Sequence, residues 1–178
     1  MSESTNPAIA FPPQEIGDFL RFCAGEWMGL NSTFALDEPT ALAAEDDATT
    51  GEANGEVNGE VNGDEWHTSE RGELLVTYLE PQVGGEPGGL SQGPKGGLQQ
   101  QLLFHSDGSY HCGADQGRWQ FWPDGSLELV IDAQGQQVRE RLWFTKPNLR
   151  LRSSVANQGD GNPAHAHFSS EIRRVSKA

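Results

Sequence analysis

Glu140 stands in the run Val138-Arg-Glu-Arg-Leu-Trp-Phe144, where residue character alternates at every position. In an extended strand Val138, Glu140, Leu142 and Phe144 share one face, and Arg139, Arg141 and Trp143 share the other. A single carboxylate on an otherwise apolar face, if turned inward, either meets a partner or has its pKa pushed up. That is the condition of a group that holds or moves a proton. Turned outward, it is a structural salt bridge to a neighbouring strand. A second alternating run follows, Leu149-Arg-Leu-Arg-Ser-Ser-Val155, with Arg150 and Arg152 on one face. Pointing inward, the two guanidinium forks suit the carboxylates of a ligand; pointing outward, they are solvated surface charges. Parity across the turn between the runs is left open by the sequence.

Other chemistry is sparse. His165 and His167 share a strand face and His111 adjoins Cys112, but no third ligand is set by spacing, so no metal site is expected. Phosphate loops, dinucleotide fingerprints, nucleophile elbows and zinc motifs are absent. The two cysteines, Cys23 and Cys112, are too few for a disulfide scaffold and read as thiols of a reducing cytoplasm. No apolar run approaches the roughly 18 residues of a spanning helix, and Met1 to Phe11 lacks the pattern of a signal peptide, so a soluble protein with no membrane contact is expected. The formal charge of -14 is concentrated: ten acids and no Lys or Arg lie between Asp37 and Glu65, leaving 16 acids against 12 bases elsewhere. No basic face for nucleic acid is present.

The elements that must position these residues are mostly strands. In 178 residues one domain is expected. Pro12-Pro13 precede Ile16, Phe19, Leu20 and Cys23, an i, i+3, i+4, i+7 stripe stopped by Gly25, which predicts one helix. Nine strands follow, at 27–36, 66–79, 98–105, 110–112, 117–122, 127–132, 138–144, 149–155 and 165–175. Ser106-Asp-Gly-Ser109 and Pro123-Asp-Gly-Ser126 are twin hairpin turns, and Lys146-Pro-Asn148 is a third. A meander of this length closes to hide its edges, so the expected fold is mainly β, an antiparallel up-and-down β-barrel of the lipocalin or fatty-acid-binding type with one N-terminal helix; a sandwich is the competitor. Residues 37–65, with the tandem Gly-Glu-Ala/Val-Asn repeat, read as a disordered acidic insertion whose carboxylates lack the spacing of a calcium loop. The stretch 84–97, rich in Gly and Pro, reads as a loop.

The hairpin Glu140-Arg-Leu-Trp-Phe-Thr-Lys-Pro-Asn-Leu-Arg-Leu-Arg-Ser-Ser-Val155 closely resembles the signature of the S-type (CpcS/CpeS) phycobiliprotein lyases of cyanobacteria and their relatives. Ala24-Gly-Glu-Trp27, Gly117-Arg118, Asp124-Gly-Ser-Leu127 and Phe168-Ser-Ser-Glu-Ile-Arg173 fit as well, so the likeness covers residues 16–34 and 113–174. It implies a lipocalin-like barrel that binds a linear tetrapyrrole and attaches it by a thioether to a cysteine of an apo-phycobiliprotein subunit. The bilin, phycocyanobilin or phycoerythrobilin, is the bound substrate and no other cofactor is required. Under the resemblance Glu140 is the acidic catalytic residue, Arg150 and Arg152 are the propionate-side arginines, and Trp119, Phe121 and Phe144 are aromatic walls. The chain departs from the family at Asn31-Ser-Thr-Phe34, which lacks a first-strand arginine, and at Ala133 and Gln134. Some relatives work as one subunit of a two-protein lyase. Outward-facing Trp143 and Leu149 or Leu151 would form an apolar stripe on the barrel exterior, which predicts a homodimer or a heterodimer with a paralogous subunit. A non-catalytic bilin carrier and a generic small-molecule carrier are the rival readings.

Because a segment with one small apolar side chain per four residues buries almost nothing, removing it should cost the fold little. A deletion of residues 39–64 is expected to leave the thermal unfolding midpoint and bilin binding nearly unchanged. Loss of solubility or of the far-ultraviolet strand signal would make the insertion structural.

Overall fold

The computed structural model describes residues 9–36 and 67–175. It contains helix α1 (Ile16–Cys23) and ten strands: β1 (Gly25–Ala35), β2 (His67–Leu79), β3 (Gly88–Gly93), β4 (Gln100–Phe104), β5 (Ser109–Cys112), β6 (Asp115–Phe121), β7 (Leu127–Ala133), β8 (Gln136–Lys146), β9 (Leu149–Asn157) and β10 (Pro163–Arg173). Sequential strands pair antiparallel, and β1 pairs with β10 to close the barrel. The fold is therefore the expected meander closed on itself. The segment read as a disordered insertion, and the start of the second strand at Trp66, lie outside the described residues. The ends that flank this segment are brought together, with the Phe34 ring stacked on His67 at 4.7 Å. No helix among the described residues is long and apolar enough to cross a membrane.

The loop expected at 84–97 is a correction: its middle is strand β3, additional to the nine expected strands and paired with β2 and β4. Its glycines are there for close approach. A Cβ on Gly89 would stand 2.5 Å from the Leu102 carbonyl oxygen, and one on Gly88 would stand 2.5 Å from the Tyr78 hydroxyl. Glycine in a strand serves this purpose as readily as it ends one, and composition cannot separate the two uses.

The twin turns form as read. Asp107 Oδ1 accepts from the Ser109 amide at 2.8 Å and its hydroxyl at 2.6 Å; Asp124 Oδ1 accepts from the Ser126 amide at 3.0 Å and its hydroxyl at 2.6 Å. Gly108 and Gly125 take the positive φ that each turn requires. These bonds hold both aspartates below the usual carboxylate range.

Helix α1 plugs one end. Phe19, Leu20 and Cys23 are wholly buried; Phe19 packs edge-on against Phe121 and Phe144, and Phe22 against Phe144. Its C-terminal end is tied down by Arg173 of β10, which donates to the carbonyls of Phe22 and Ala24 and lies 4.4 Å over the Trp27 ring. A cation there meets the partial negative charge of the helix terminus and satisfies carbonyls that lack helical partners. The core gathers at this end, with Trp27, Val76, Leu90, Phe104, Tyr110 and Leu127 joining the helix residues.

Candidate functional site

On β1, β2 and β9 the exposure of the inward-facing residues rises away from α1. On β1 Trp27 is buried, Gly29 and Asn31 are half-buried and Thr33 is exposed; on β2 Val76 is buried, Leu74 and Gly72 half-buried, Glu70 and Thr68 exposed. On β9 the series is Arg150, Arg152, Ser154 and Ala156, with only the first buried. The barrel is thus sealed at the helix end and open at the other. Cross-strand register stacks the inward residues of β8, β9, β10 and β1 in three layers: Phe144, Arg150, Glu171 and Gly29; then Leu142, Arg152, Ser169 and Asn31; then Glu140, Ser154, His167 and Thr33 at the rim. A register shift between Phe144 and Lys146 sets the parity that the sequence left open, and Glu140, Arg150 and Arg152 all face inward.

These groups form a ladder of alternating charge. Arg150 Nε donates to Glu171 Oε2 at 2.5 Å, Arg152 Nε lies 3.7 Å from Glu171 Oε1, and Arg152 Nη1 lies 3.5 Å from Glu140 Oε1. Arg150 is fully buried, its guanidinium 4.7 Å over the Trp27 ring, while the Arg152 and Glu140 side chains keep 14% and 23% of their exposure. Burial works to lower the Arg152 pKa, but the Glu140 and Glu171 carboxylates outweigh it and hold the group above its ordinary value. Four donors remain over: Arg150 Nη1 and Nη2 and Arg152 Nε and Nη2 are buried with no hydrogen-bond partner. Each such donor costs about 1–3 kcal/mol unless an acceptor arrives, which makes this inward wall a seat for an anionic or carbonyl oxygen.

Of the aromatic residues singled out from the sequence, Phe121 and Phe144 lie under α1 as part of the floor. Trp119 faces inward on β6 between them and the rim, its indole donating to the His105 carbonyl at 2.9 Å. Glu171 went unrecognised from the residues alone, although it holds both arginines and is 5% exposed. The signal for it was present: His165, His167, Ser169, Glu171 and Arg173 alternate along β10, a polar face that reads as solvent-exposed until the barrel turns it inward. His167 Nδ1 is 3.3 Å from the Thr33 hydroxyl at the rim, and no three His, Cys, Asp or Glu converge among the described residues. Cys112 also faces inward, near the open end of β5; burial, then the charges of Asp115 and Glu140, push its thiol up. At the sealed end, burial keeps the Cys23 thiol up against the pull of Arg150.

The ladder makes a measurable coupling. Arg150→Met is expected to destabilise the protein by about 3–5 kcal/mol in urea unfolding, because it leaves Glu171 buried with only long contacts, to Arg152 at 3.7 Å and to the Ser169 hydroxyl at 3.4 Å. Glu171→Gln added to it should recover much of that loss. Strict additivity of the two substitutions would mean that the pair is not coupled.

Comparison with known proteins follows the same lines. A family model described as CpeS-like protein matches residues 95–174. A chromophore lyase CpcS/CpeS 1 of Paulinella chromatophora is 39% identical over 171 residues, covering 94% of this chain and 92% of its own, so the likeness extends through the middle of the chain as well. A chromophore lyase CpcS/CpeS 1 of Synechocystis is 27% identical over 90% of this chain and 93% of its own. The solved S-type phycobiliprotein lyase of Guillardia theta shares the fold with a TM-score of 0.60 at 18% identity, covering 91% of this chain and 94% of its own. With identity and coverage of this extent, the chain belongs to the CpcS/CpeS chromophore lyase family.

Proposed function

We propose that this protein is a bilin lyase that binds a linear tetrapyrrole in the open half of the barrel and attaches it by a thioether to a cysteine of an apo-phycobiliprotein subunit. The observation that carries this reading is Arg152: a largely buried guanidinium on an inward wall, its side chain 14% exposed, beside Glu140, with two donors lacking hydrogen-bond partners. A linear tetrapyrrole offers what such a wall lacks. Its two propionates accept from arginine forks, its pyrrole N–H groups donate to a carboxylate, and its flat apolar body suits Trp119 above the floor of Phe121 and Phe144. Phycocyanobilin and phycoerythrobilin both meet this description, and no further cofactor enters.

The reaction adds a thiol to a carbon–carbon double bond. The acceptor cysteine's thiolate forms the sulfur–carbon bond at the ethylidene carbon, and the electron pair of that double bond takes up a proton on the pigment. The nucleophile belongs to the partner, so the lyase contributes orientation and proton handling. In this reading Glu140, held at the rim by Arg152, stabilises or relays the pigment's proton, while Arg150 and Glu171 hold Arg152 in place. An inward Asn31 on β1, where the family commonly has a first-strand arginine, supports a second reading in which the chain serves as the partner subunit of a two-protein lyase.

The outer surface supports an assembly. The alternation that turns Arg150 and Arg152 inward turns Trp143, Leu149 and Leu151 outward, beside exposed Met28, Leu30, Phe168 and Ile172 on the neighbouring strands. An apolar sheet face of this extent is characteristic of a contact surface, and we take the protein to work as a homodimer or as a heterodimer with a paralogous lyase subunit.

Mixing the protein with phycocyanobilin, with and without an apo-phycobiliprotein subunit, and recording absorbance after denaturation in acid urea tests the activity. Covalent pigment on the acceptor is expected, and Glu140→Gln should still bind pigment while transferring it about 10²–10⁴-fold more slowly. Pigment binding without transfer, even when a paralogue is added, would make the protein a carrier; an unchanged rate in Glu140→Gln would remove that residue from the chemistry. Light scattering at tens of micromolar should give a dimer mass, converted to monomer by Ile172→Glu. A monomer with and without the paralogue would overturn the assembly.

A further inference from the structure

Tyr110 faces inward on β5, three strands round the barrel from Glu140. Its ring is stacked on Phe104 at 5.7 Å and lies across Gly117 of β6, where a Cβ would collide with ring carbons Cε1 and Cζ. Glycine weakens a strand interior unless something must come close, and here that something is this ring. The residue is 3% exposed, yet its hydroxyl has no hydrogen-bond partner among the described residues and is not among the atoms sealed from solvent. Tyr78, the chain's only other tyrosine, has its requirement met by donating to the Pro87 carbonyl at 3.1 Å.

Burial, then the charge of Glu140, push the ionisation of the Tyr110 phenol far above its ordinary value, with Cys112 and Asp115 adding to the effect. The hydroxyl is therefore a neutral donor throughout the physiological range. Glu140 on β8 and Cys112 on β5 face the same interior as this phenol. Unpaired within the described residues yet not sealed from solvent, the hydroxyl is free to donate to an acceptor oxygen that enters the barrel.

We infer that Tyr110 is a further orienting contact for the bound pigment, donating its phenolic hydrogen to a lactam carbonyl of the tetrapyrrole from the wall facing the Glu140–Arg152 pair. The inference rests on the bilin-lyase reading and adds to it. A charged fork suits a propionate and a carboxylate suits pyrrole N–H groups, whereas the terminal lactam carbonyls require a neutral donor. With cation and anion on one wall and a neutral donor on another, the three polar functions of the pigment are held at separate points, which selects one orientation of an otherwise pseudo-symmetric chain.

Two tyrosines make a clean experiment. Full-length protein labelled with 3-fluorotyrosine gives two fluorine resonances, assigned by Tyr110→Phe and Tyr78→Phe, and is titrated with phycocyanobilin. The Tyr110 resonance is expected to move on saturation while that of Tyr78 stays. Tyr110→Phe should bind phycocyanobilin about three- to tenfold more weakly, with a shifted long-wavelength band. An unmoved Tyr110 resonance at saturation overturns the inference, as does wild-type affinity and spectrum in Tyr110→Phe. If that variant fails to fold, the wild-type resonance, assigned through Tyr78→Phe, decides. If the wild-type protein binds neither phycocyanobilin nor phycoerythrobilin, the lyase reading itself falls; binding with an indifferent Tyr110 removes this inference alone.

Discussion

One buried carboxylate shared by two guanidinium groups organises this protein. Glu171 could not stand in the barrel interior without Arg150, and Arg150 could not stand under Trp27 without Glu171, because either charge alone in that setting would be strongly unfavourable. Arg152 then completes the set by bridging Glu171 to Glu140, so charge passes from the sealed floor to the rim through alternating signs. Four side chains on three adjacent strands are thereby made interdependent. The most exposed of them, Glu140 and Arg152, inherit their positions from Arg150 and Glu171 deeper in the barrel.

The sealed end depends on the same residues from the other side. Trp27 lies between Arg150 at 4.7 Å and Arg173 at 4.4 Å, and its indole donates to the Cys23 carbonyl at 2.9 Å. One tryptophan therefore joins the charged ladder to the helix plug. Interior polarity and helix docking are not separate achievements of the sequence: the cation that faces the site and the cation that clamps α1 flank a single ring.

Much of this was legible because strands of period two and turns of the Asp-Gly-Ser type have local causes. The β8–β9 hairpin shows its alternation plainly, and the helix shows its stripe. Strand β3 was not legible, since Gly88, Gly89 and Gly93 have the composition of a loop and act as points of close packing that only the neighbouring strands reveal. The inward direction of Arg150 and Arg152 was undetermined because it turns on one irregularity between Phe144 and Lys146, a matter of turn geometry rather than residue type. Glu171 was concealed by a sound rule applied to an unusual case: alternating polar residues on a strand usually face water, and in β10 they face one another across the interior.

The closure of the barrel has a kinetic side. Trp27 near the start of the described chain pairs with Arg173 near its end, and every other strand pairing is between neighbours in sequence. Hairpins can form in order as the chain emerges, but the seam waits for β10, which also carries the carboxylate that Arg150 and Arg152 require. Until that strand arrives, both arginines face an open sheet and the helix plug lacks its Arg173 clamp. The last of the described strands to be synthesised thus completes the edge-free wall, the interior charge balance and the sealed floor in one step, and a chain truncated before β10 lacks all three.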